Sequence, residues 1–151
     1  MDTNGRNIFV RRHKKRTCTA VKRRAGGKNT ESKEKAIKEL CEKYDIVTIT
    51  LMNIDSSDMT ISDQKRIADT IGDNIGKYDG IVITHGTDTM AYTAAALSVM
   101  TENPPVPVVL TGSQRPFFDS GSDAPANFED ALAVAGSGAV RCVCVVFGGK
   151  I

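Results

Sequence analysis

The feature that most constrains the fold is a buried-strand pattern that ends abruptly at a glycine. Residues 81–84 form an unbroken run dominated by β-branched side chains, which is typical of a strand buried on both faces. The run breaks at Gly86, Thr87 and Asp88 follow, and a helical pattern begins. A strand, a tight turn and a helix together present polar groups at the carboxyl edge of a parallel sheet.

The rest of the chain repeats this alternation. Strands are predicted at residues 46–52, 81–84, 106–111 and 140–147, and helices at 32–44, 60–77, 89–100 and 123–136. The order predicts an α/β fold with a parallel, doubly wound sheet of flavodoxin or Rossmann type. Residues 7–10 could begin a strand, but the basic run at 11–16 cannot continue one into a core.

Composition indicates an ordinary globular domain. The 151 residues are 40% hydrophobic and 25% charged, and this length suffices for a single core. No apolar run is long enough for a membrane helix, and no secretory signal opens the chain. We therefore expect a cytoplasmic protein that does not enter a membrane.

The net charge of +2 conceals an asymmetry between the two ends. Residues 1–28 hold ten of the 20 Lys and Arg residues and one of the 18 acids, while the remainder of the chain is acidic. We interpret residues 1–30 as a basic leader, disordered or aberrant, and residues 31–151 as the α/β domain. The alternative is an arm that binds nucleic acid, which we do not favour as a partner.

The cysteines do not predict a metal site. No C-x-x-C pair occurs among Cys18, Cys41, Cys142 and Cys144, and the chain has two histidines, so zinc is not expected. Cys142 and Cys144 alternate along a predicted strand, which places both on one face. We expect buried free thiols, with a disulfide as the alternative.

Acidic residues in the loops offer a second possible cation site. Asp55, Asp58, Asp119 and Asp123 could suggest Mg²⁺. They lie in separate loops without ligand spacing, so we expect turn-forming and capping roles and no metal.

Polar side chains follow three of the predicted strands. Ser56 and Ser57 follow the first, Thr87 and Asp88 the second, and Ser113 the third. Because the carboxyl ends of parallel strands share one edge of a sheet, these side chains should converge. Asp88 can hold an ammonium group, and the two serines can hold a carboxylate. The sequence therefore predicts a site for a small zwitterion.

The role of Thr87 stays open at this point. Its hydroxyl could be a nucleophile, which needs a partner base. His85 is the nearest candidate, although a hydrogen-bonded structural role suits it better. Alternatively, Thr87 caps the following helix and Asp88 favours the helix dipole.

Four motifs in order resemble the L-asparaginase family. VITHGTDTM at 82–90 is similar to the second threonine motif of that family, and NIDSSDM at 53–59, LTGSQRP at 110–116 and SDAPAN at 122–127 support it. The resemblance covers residues 46–151. The short loops resemble those of the cytoplasmic type I enzymes and of the D subunit of the archaeal tRNA-dependent amidotransferase.

This resemblance implies hydrolysis of the side-chain amide of L-asparagine to L-aspartate and ammonia, without a metal or cofactor. It also implies that the full-length protein forms a homo-oligomer. Thr87 then corresponds to the second catalytic threonine, and Asp88 contacts the substrate amino group. Ser56 and Ser57 match the loop for the substrate carboxylate. Ser113 matches a backbone position beside the amide that is cleaved.

Two departures from the family pattern lower the expected activity. The family opens with a T-G-G-T-I motif that carries the first nucleophile, and neither Thr17 nor Thr19 can be assigned that role. The family's catalytic lysine and second domain are expected beyond the last residues here, and Lys150 is not that lysine. We expect an impaired fragment with little turnover. The alternatives are the D subunit of the amidotransferase and a non-catalytic scaffold with a basic RNA-binding arm.

Overall fold

The structure, a computed structural model, describes residues 6–11, 45–52, 54–117 and 119–151, with the backbone alone for 6–11. The strands are β1 (Arg6–Arg11), β2 (Ile46–Met52), β3 (Gly80–Thr84), β4 (Val108–Thr111) and β5 (Val143–Val145), and the helices are α1 (Ile61–Asn74), α2 (Met90–Met100) and α3 (Ala124–Ser137). A 3₁₀ turn, Ser56–Asp58, lies between β2 and α1. The helix predicted at 32–44 lies outside the described residues, and the division at residue 30 stays a prediction.

The predicted α/β class is confirmed. Strands β3, β4 and β5 are parallel neighbours at one side of a sheet whose order is β2-β1-β3-β4-β5. Helices α1 and α2 pack on one face of the sheet, and α3 packs on the other. The sheet is therefore doubly wound, with its helices on both faces.

Strand β1 differs from the prediction, which counted four strands and left residues 7–10 as a possible strand start. It lies between β2 and β3 and runs antiparallel to both, with Arg11 opposite Ile46 and Gly80. The whole sheet is therefore mixed and five-stranded. The basic run at residues 11–16 does not interrupt β1, because the strand ends at Arg11, the first residue of that run. Pairing on both sides also satisfies backbone groups that β2 and β3 would otherwise leave open.

Alternation along the strands divides the core into two layers. Ile81 and Ile83 face α1 and α2, and Val82 faces α3. The same alternation recurs in β4, where Val109 faces α3 while its neighbours face the other layer. Successive side chains of a strand point to opposite faces, so an unbroken apolar run fills both layers.

Local sequence explains where the helices begin. Thr60 caps α1, and its side chain and that of Asp63 exchange hydrogen bonds with each other's backbone N–H in a capping box. Helix α3 carries a proline in its first turn, where the missing N–H costs nothing. No helix in the described part of the chain is long and apolar enough to cross a membrane.

The two described cysteines depart in part from the prediction. Both are free thiols, but Cys142 is exposed and Cys144 is half-buried. The expected burial of Cys142 is wrong because β5 starts one residue later, at the edge of the sheet. Burial raises the pKa of the Cys144 thiol to about 11, and the neighbouring Cys142 adds to this increase. Cys18 and Cys41 lie outside the described residues.

Candidate functional site

The loops after β2 and β3 are joined at the carboxyl edge of the sheet. The Ser56 hydroxyl donates a hydrogen bond to Oδ2 of Asp88 at 3.4 Å. The Thr89 hydroxyl donates to the backbone carbonyl of Ser56 at 2.7 Å. Ser56 is buried, whereas Asp88 is exposed. A carboxylate open to solvent is thus held against a buried hydroxyl from another loop.

Ser57 lies beside Ser56, but an acidic residue already occupies its donors. Its backbone N–H and its hydroxyl donate to Oδ1 of Asp55, at 3.0 and 2.9 Å. Asp55 is the N-cap of the 3₁₀ turn, in accord with its predicted capping role. A ligand carboxylate would have to compete with Asp55 for the donors of Ser57.

Thr87 does not cap the following helix. Helix α2 begins at Met90, and Thr89 occupies the N-cap position. Thr87 therefore lies two residues before the cap, half-buried, and its hydroxyl forms no hydrogen bond with any residue that the structure describes. The capping interpretation of Thr87 is wrong, and its hydroxyl remains available for other chemistry.

His85 has the structural role that we predicted. The side chain is buried, with 4% of its surface exposed. Its Nδ1 lies 2.7 Å from the carbonyl oxygen of Gly86. Because a carbonyl only accepts hydrogen bonds, Nδ1 must carry the proton. The contact directs this side of the imidazole toward the backbone of the next residue, Gly86.

The loops after β3 and β4 also touch. The backbone N–H of His85 donates to the carbonyl of Thr111 at 2.8 Å. A Cβ atom placed on Gly112 would lie 2.2 Å from the carbonyl oxygen of His85 and 2.7 Å from Cε of Met90. Only a residue without a side chain allows this approach. The next residue, Ser113, is half-buried, and its hydroxyl donates to the carbonyl of Arg115 at 2.6 Å.

Asp123 is the acceptor that holds the loop after β4. Burial alone would raise the pKa of its carboxyl, but hydrogen bonds from the backbone N–H groups of Gln114 and Arg115 and from the Asn127 amide outweigh burial and hold the pKa below its usual value. The structure thus assigns Asp123 a loop-bridging role. No group of three or more His, Cys, Asp or Glu side chains among the described residues is placed to hold a metal ion.

Sequence reasoning missed two contributors to this edge. Thr89 fastens the loops after β2 and β3, and Asn127 contacts the loops after both β4 and β5. Asn127 stands four residues after Asp123, so the spacing alone places the two side chains on one helix face. That signal could have identified the pair, since both belong to the SDAPAN motif.

These observations define a class: an α/β domain whose polar groups gather at the carboxyl edge of a parallel sheet. The chain belongs to the asparaginase family, because the family model described as "Asparaginase, N-terminal" matches residues 14–151.

Relatives and solved structures agree with this assignment. The chain is 50% identical over 93 residues to the L-asparaginase of Thermococcus kodakarensis, covering 62% of this chain and 28% of that protein. It is 44% identical over 119 residues to the D subunit of the glutamyl-tRNA(Gln) amidotransferase of the same organism, covering 76% and 27%. The crystal structure of L-asparaginase I from Vibrio cholerae matches with a TM-score of 0.61 and 54% identity, covering 64% and 29%. The chain therefore spans less than a third of the length of these relatives.

Proposed function

We propose that this chain is the N-terminal part of an asparaginase-type amidohydrolase that converts L-asparagine to L-aspartate and ammonia. The observation that carries the proposal is the contact between Ser56 and Asp88, which joins two loops beside a Thr87 hydroxyl that no described residue engages. The proposal includes a cytoplasmic location and a homo-oligomeric complete protein.

Each side of a bound amino acid has a partner at this edge. The exposed Asp88 carboxylate suits the substrate ammonium group. The 3₁₀ turn supplies the hydroxyls of Ser56 and Ser57 for the substrate carboxylate, once the Ser56 hydroxyl turns from Asp88 and Asp55 is displaced from Ser57. Thr87 and the backbone of Ser113 then flank the side-chain amide.

The chemistry needs a nucleophile and a base. Attack of a threonine oxygen on the amide carbon forms a C–O bond, and the C–N bond then breaks as ammonia leaves with a proton. Water hydrolyses the resulting ester and frees the threonine. A neutral hydroxyl is a weak nucleophile until a base accepts its proton. His85 is buried and its Nδ1 is engaged with the carbonyl of Gly86, so we do not assign it as that base.

The direction of β1 supports low turnover by residues 1–151 alone. The resemblance to the family implies an opening strand followed by the T-G-G-T-I motif that carries the first nucleophile. Here the end of β1, Arg11, pairs opposite Gly80, the first residue of β3. The chain therefore leaves β1 at the edge opposite to Thr87. Loss of one member of a catalytic unit typically lowers the rate by several orders of magnitude.

Ammonia release from L-asparagine at micromolar protein tests the proposal together with L-aspartate binding followed by calorimetry. We expect measurable binding, turnover near background, and loss of binding in Asp88→Asn but not in the matched variant Asp69→Asn on α1. Brisk turnover that Thr87→Ala abolishes would contradict the expected impairment while supporting the site. Absence of binding by the unsubstituted chain would refute the proposed substrate.

One observation favours a second function. The match to the D subunit of the amidotransferase extends over 119 residues, against 93 for the L-asparaginase of the same organism. A protein of that kind would release ammonia only together with its partner protein and tRNA. Stimulation of ammonia release by both additions would favour this alternative, and equal rates with and without them would remove it.

A further inference from the structure

We infer that Asp123 and Asn127 act together as positioning residues that hold the peptide of Ser113 in place for a bound amino acid. This inference rests on the proposed function, because Ser113 matters only if a ligand contacts that loop. In this inference, Asp123 and Asn127 act through the backbone of the loop and do not contact the ligand themselves.

Asp123 holds the two residues that follow Ser113 in the loop. Both carboxylate oxygens of Asp123 lie 3.0 Å from the backbone N of Gln114, and Oδ1 lies 3.1 Å from the backbone N of Arg115. Two successive N–H groups that converge on one carboxylate fix the peptide planes on either side of them. The residues directly after Ser113 are therefore restrained.

Asn127 holds the residue that precedes Ser113 in the loop. Nδ2 of Asn127 donates to the carbonyl of Gly112 at 3.0 Å and to Oδ2 of Asp123 at 3.1 Å. Asn127 is buried, with 3% of its surface exposed. The peptide of Ser113 thus lies between two anchors that are themselves hydrogen-bonded to each other.

The same amide extends this network to the last strand. Oδ1 of Asn127 accepts a hydrogen bond from the backbone N–H of Gly148 at 2.9 Å. The backbone carbonyl of Asn127 accepts from the Thr111 hydroxyl at 3.3 Å. A buried carboxamide is both a donor and an acceptor, so it can serve Gly112 and Gly148 at once, whereas a carboxylate cannot. Asn127 therefore ties the loops after β4 and β5 to the start of α3.

This arrangement explains why a loop without regular structure can serve in a binding site. A site on a loop is imprecise unless a supporting layer fixes it. Restraining the loop before binding also removes an ordering cost that the ligand would otherwise have to offset. The consequence is specific: weakening the network should lower ligand affinity even when the domain stays folded.

The test uses Asp123→Asn, with Asp119→Asn as the matched control in the same loop. Asp123 is half-exposed, so the first variant should fold, and far-UV circular dichroism checks this. Asp119 is exposed, and its hydrogen bonds to Pro116 and Ser122 involve its backbone. Amide hydrogen exchange measures the loop, and calorimetric titration with L-aspartate measures the affinity.

We expect Asp123→Asn to reduce the protection of the Gln114 and Arg115 amides about tenfold and to weaken L-aspartate binding about tenfold, the loss expected from one charge-assisted hydrogen bond. Protection of the α1 amides should not change. Equal affinity in Asp123→Asn and Asp119→Asn would overturn the inference while leaving the proposed function intact. No binding by the unsubstituted chain would instead overturn the proposed function and, with it, the role of this pair in binding.

Discussion

Replacing Gly112 by alanine tests the contact between the loops after β3 and β4. The added Cβ would lie 2.2 Å from the carbonyl oxygen of His85 and 2.7 Å from Cε of Met90. An ordinary carbon–oxygen contact is longer by about 1 Å. The methionine tip can move aside, but the backbone carbonyl can yield only if a strand end shifts.

We expect Gly112→Ala to lower the free energy of unfolding by about 3 kcal/mol, the upper end of the usual cost of overpacking, because the opposing atom is backbone. For a chain of this size the corresponding decrease in Tm is about 6–12 °C. Urea denaturation followed by circular dichroism measures the change.

Gly72→Ala is the matched control. Gly72 lies in α1, and a Cβ there would meet nothing within 4 Å. Because alanine favours the helix over glycine, we expect this variant to gain about 0.5–1 kcal/mol. The two identical substitutions should therefore change stability in opposite directions. A Gly112→Ala protein within about 0.5 kcal/mol of the unsubstituted chain, the usual range for a surface change, would refute the close approach of the loops.

Three further predictions concern single side chains. Thr60→Ala removes the capping box of α1 and should lower the free energy of unfolding by about 1 kcal/mol. Ser62→Ala is the neighbouring control, and equal urea midpoints for the two variants would contradict the capping role of Thr60. Thr93 has a buried hydroxyl without a hydrogen-bond partner among the described residues, so Thr93→Val should raise the free energy of unfolding by about 1 kcal/mol, whereas a loss would show that the hydroxyl is satisfied. Because the folded state lowers the pKa of Asp123, its stabilisation is present above the unfolded pKa of about 3.9 and is lost as the pH falls through the folded value. The stability difference between the unsubstituted chain and Asp123→Asn should thus be largest near neutral pH and close in acid, and a difference independent of pH would contradict this reasoning.

Strands β2, β3 and β4 were predictable because each carries its own signal. Residues 46–52 coincide with β2, and β3 and β4 fall within one or two residues of the predicted positions. Unbroken β-branched runs have few alternative structures. The last strand is shorter than the predicted range of 140–147. It begins at Val143, because the charged Arg141 interrupts the apolar pattern before that residue.

The place and direction of β1 could not be read from its residues. A short run such as 6–11 has the same local pattern in either direction, and pairing partners decide its orientation. Those partners, Ile49 of β2 and Ile83 of β3, lie far along the chain from Ile8. Strand direction is therefore a tertiary property, which local periodicity does not contain.

The candidate site divides in the same way. The loop positions of Ser56, Thr87, Asp88 and Ser113 follow from strand order alone. The partners of these residues do not, because a hydroxyl or carboxylate has several possible acceptors and donors within reach. The bond between Ser57 and Asp55, the cap position of Thr89 and the network around Asn127 all depend on side-chain geometry.

The most direct test of the account is a titration of the ¹⁵N-labelled chain with L-aspartate, followed by amide chemical shifts. We predict saturable shifts that cluster at Ser56, Asp88 and Ser113, which follow three different strands, and no comparable shifts along α1 or at the opposite edge near Gly80. Shifts that are absent, or that lie mainly away from the carboxyl edge of the sheet, would contradict the claim that this edge holds a free amino acid.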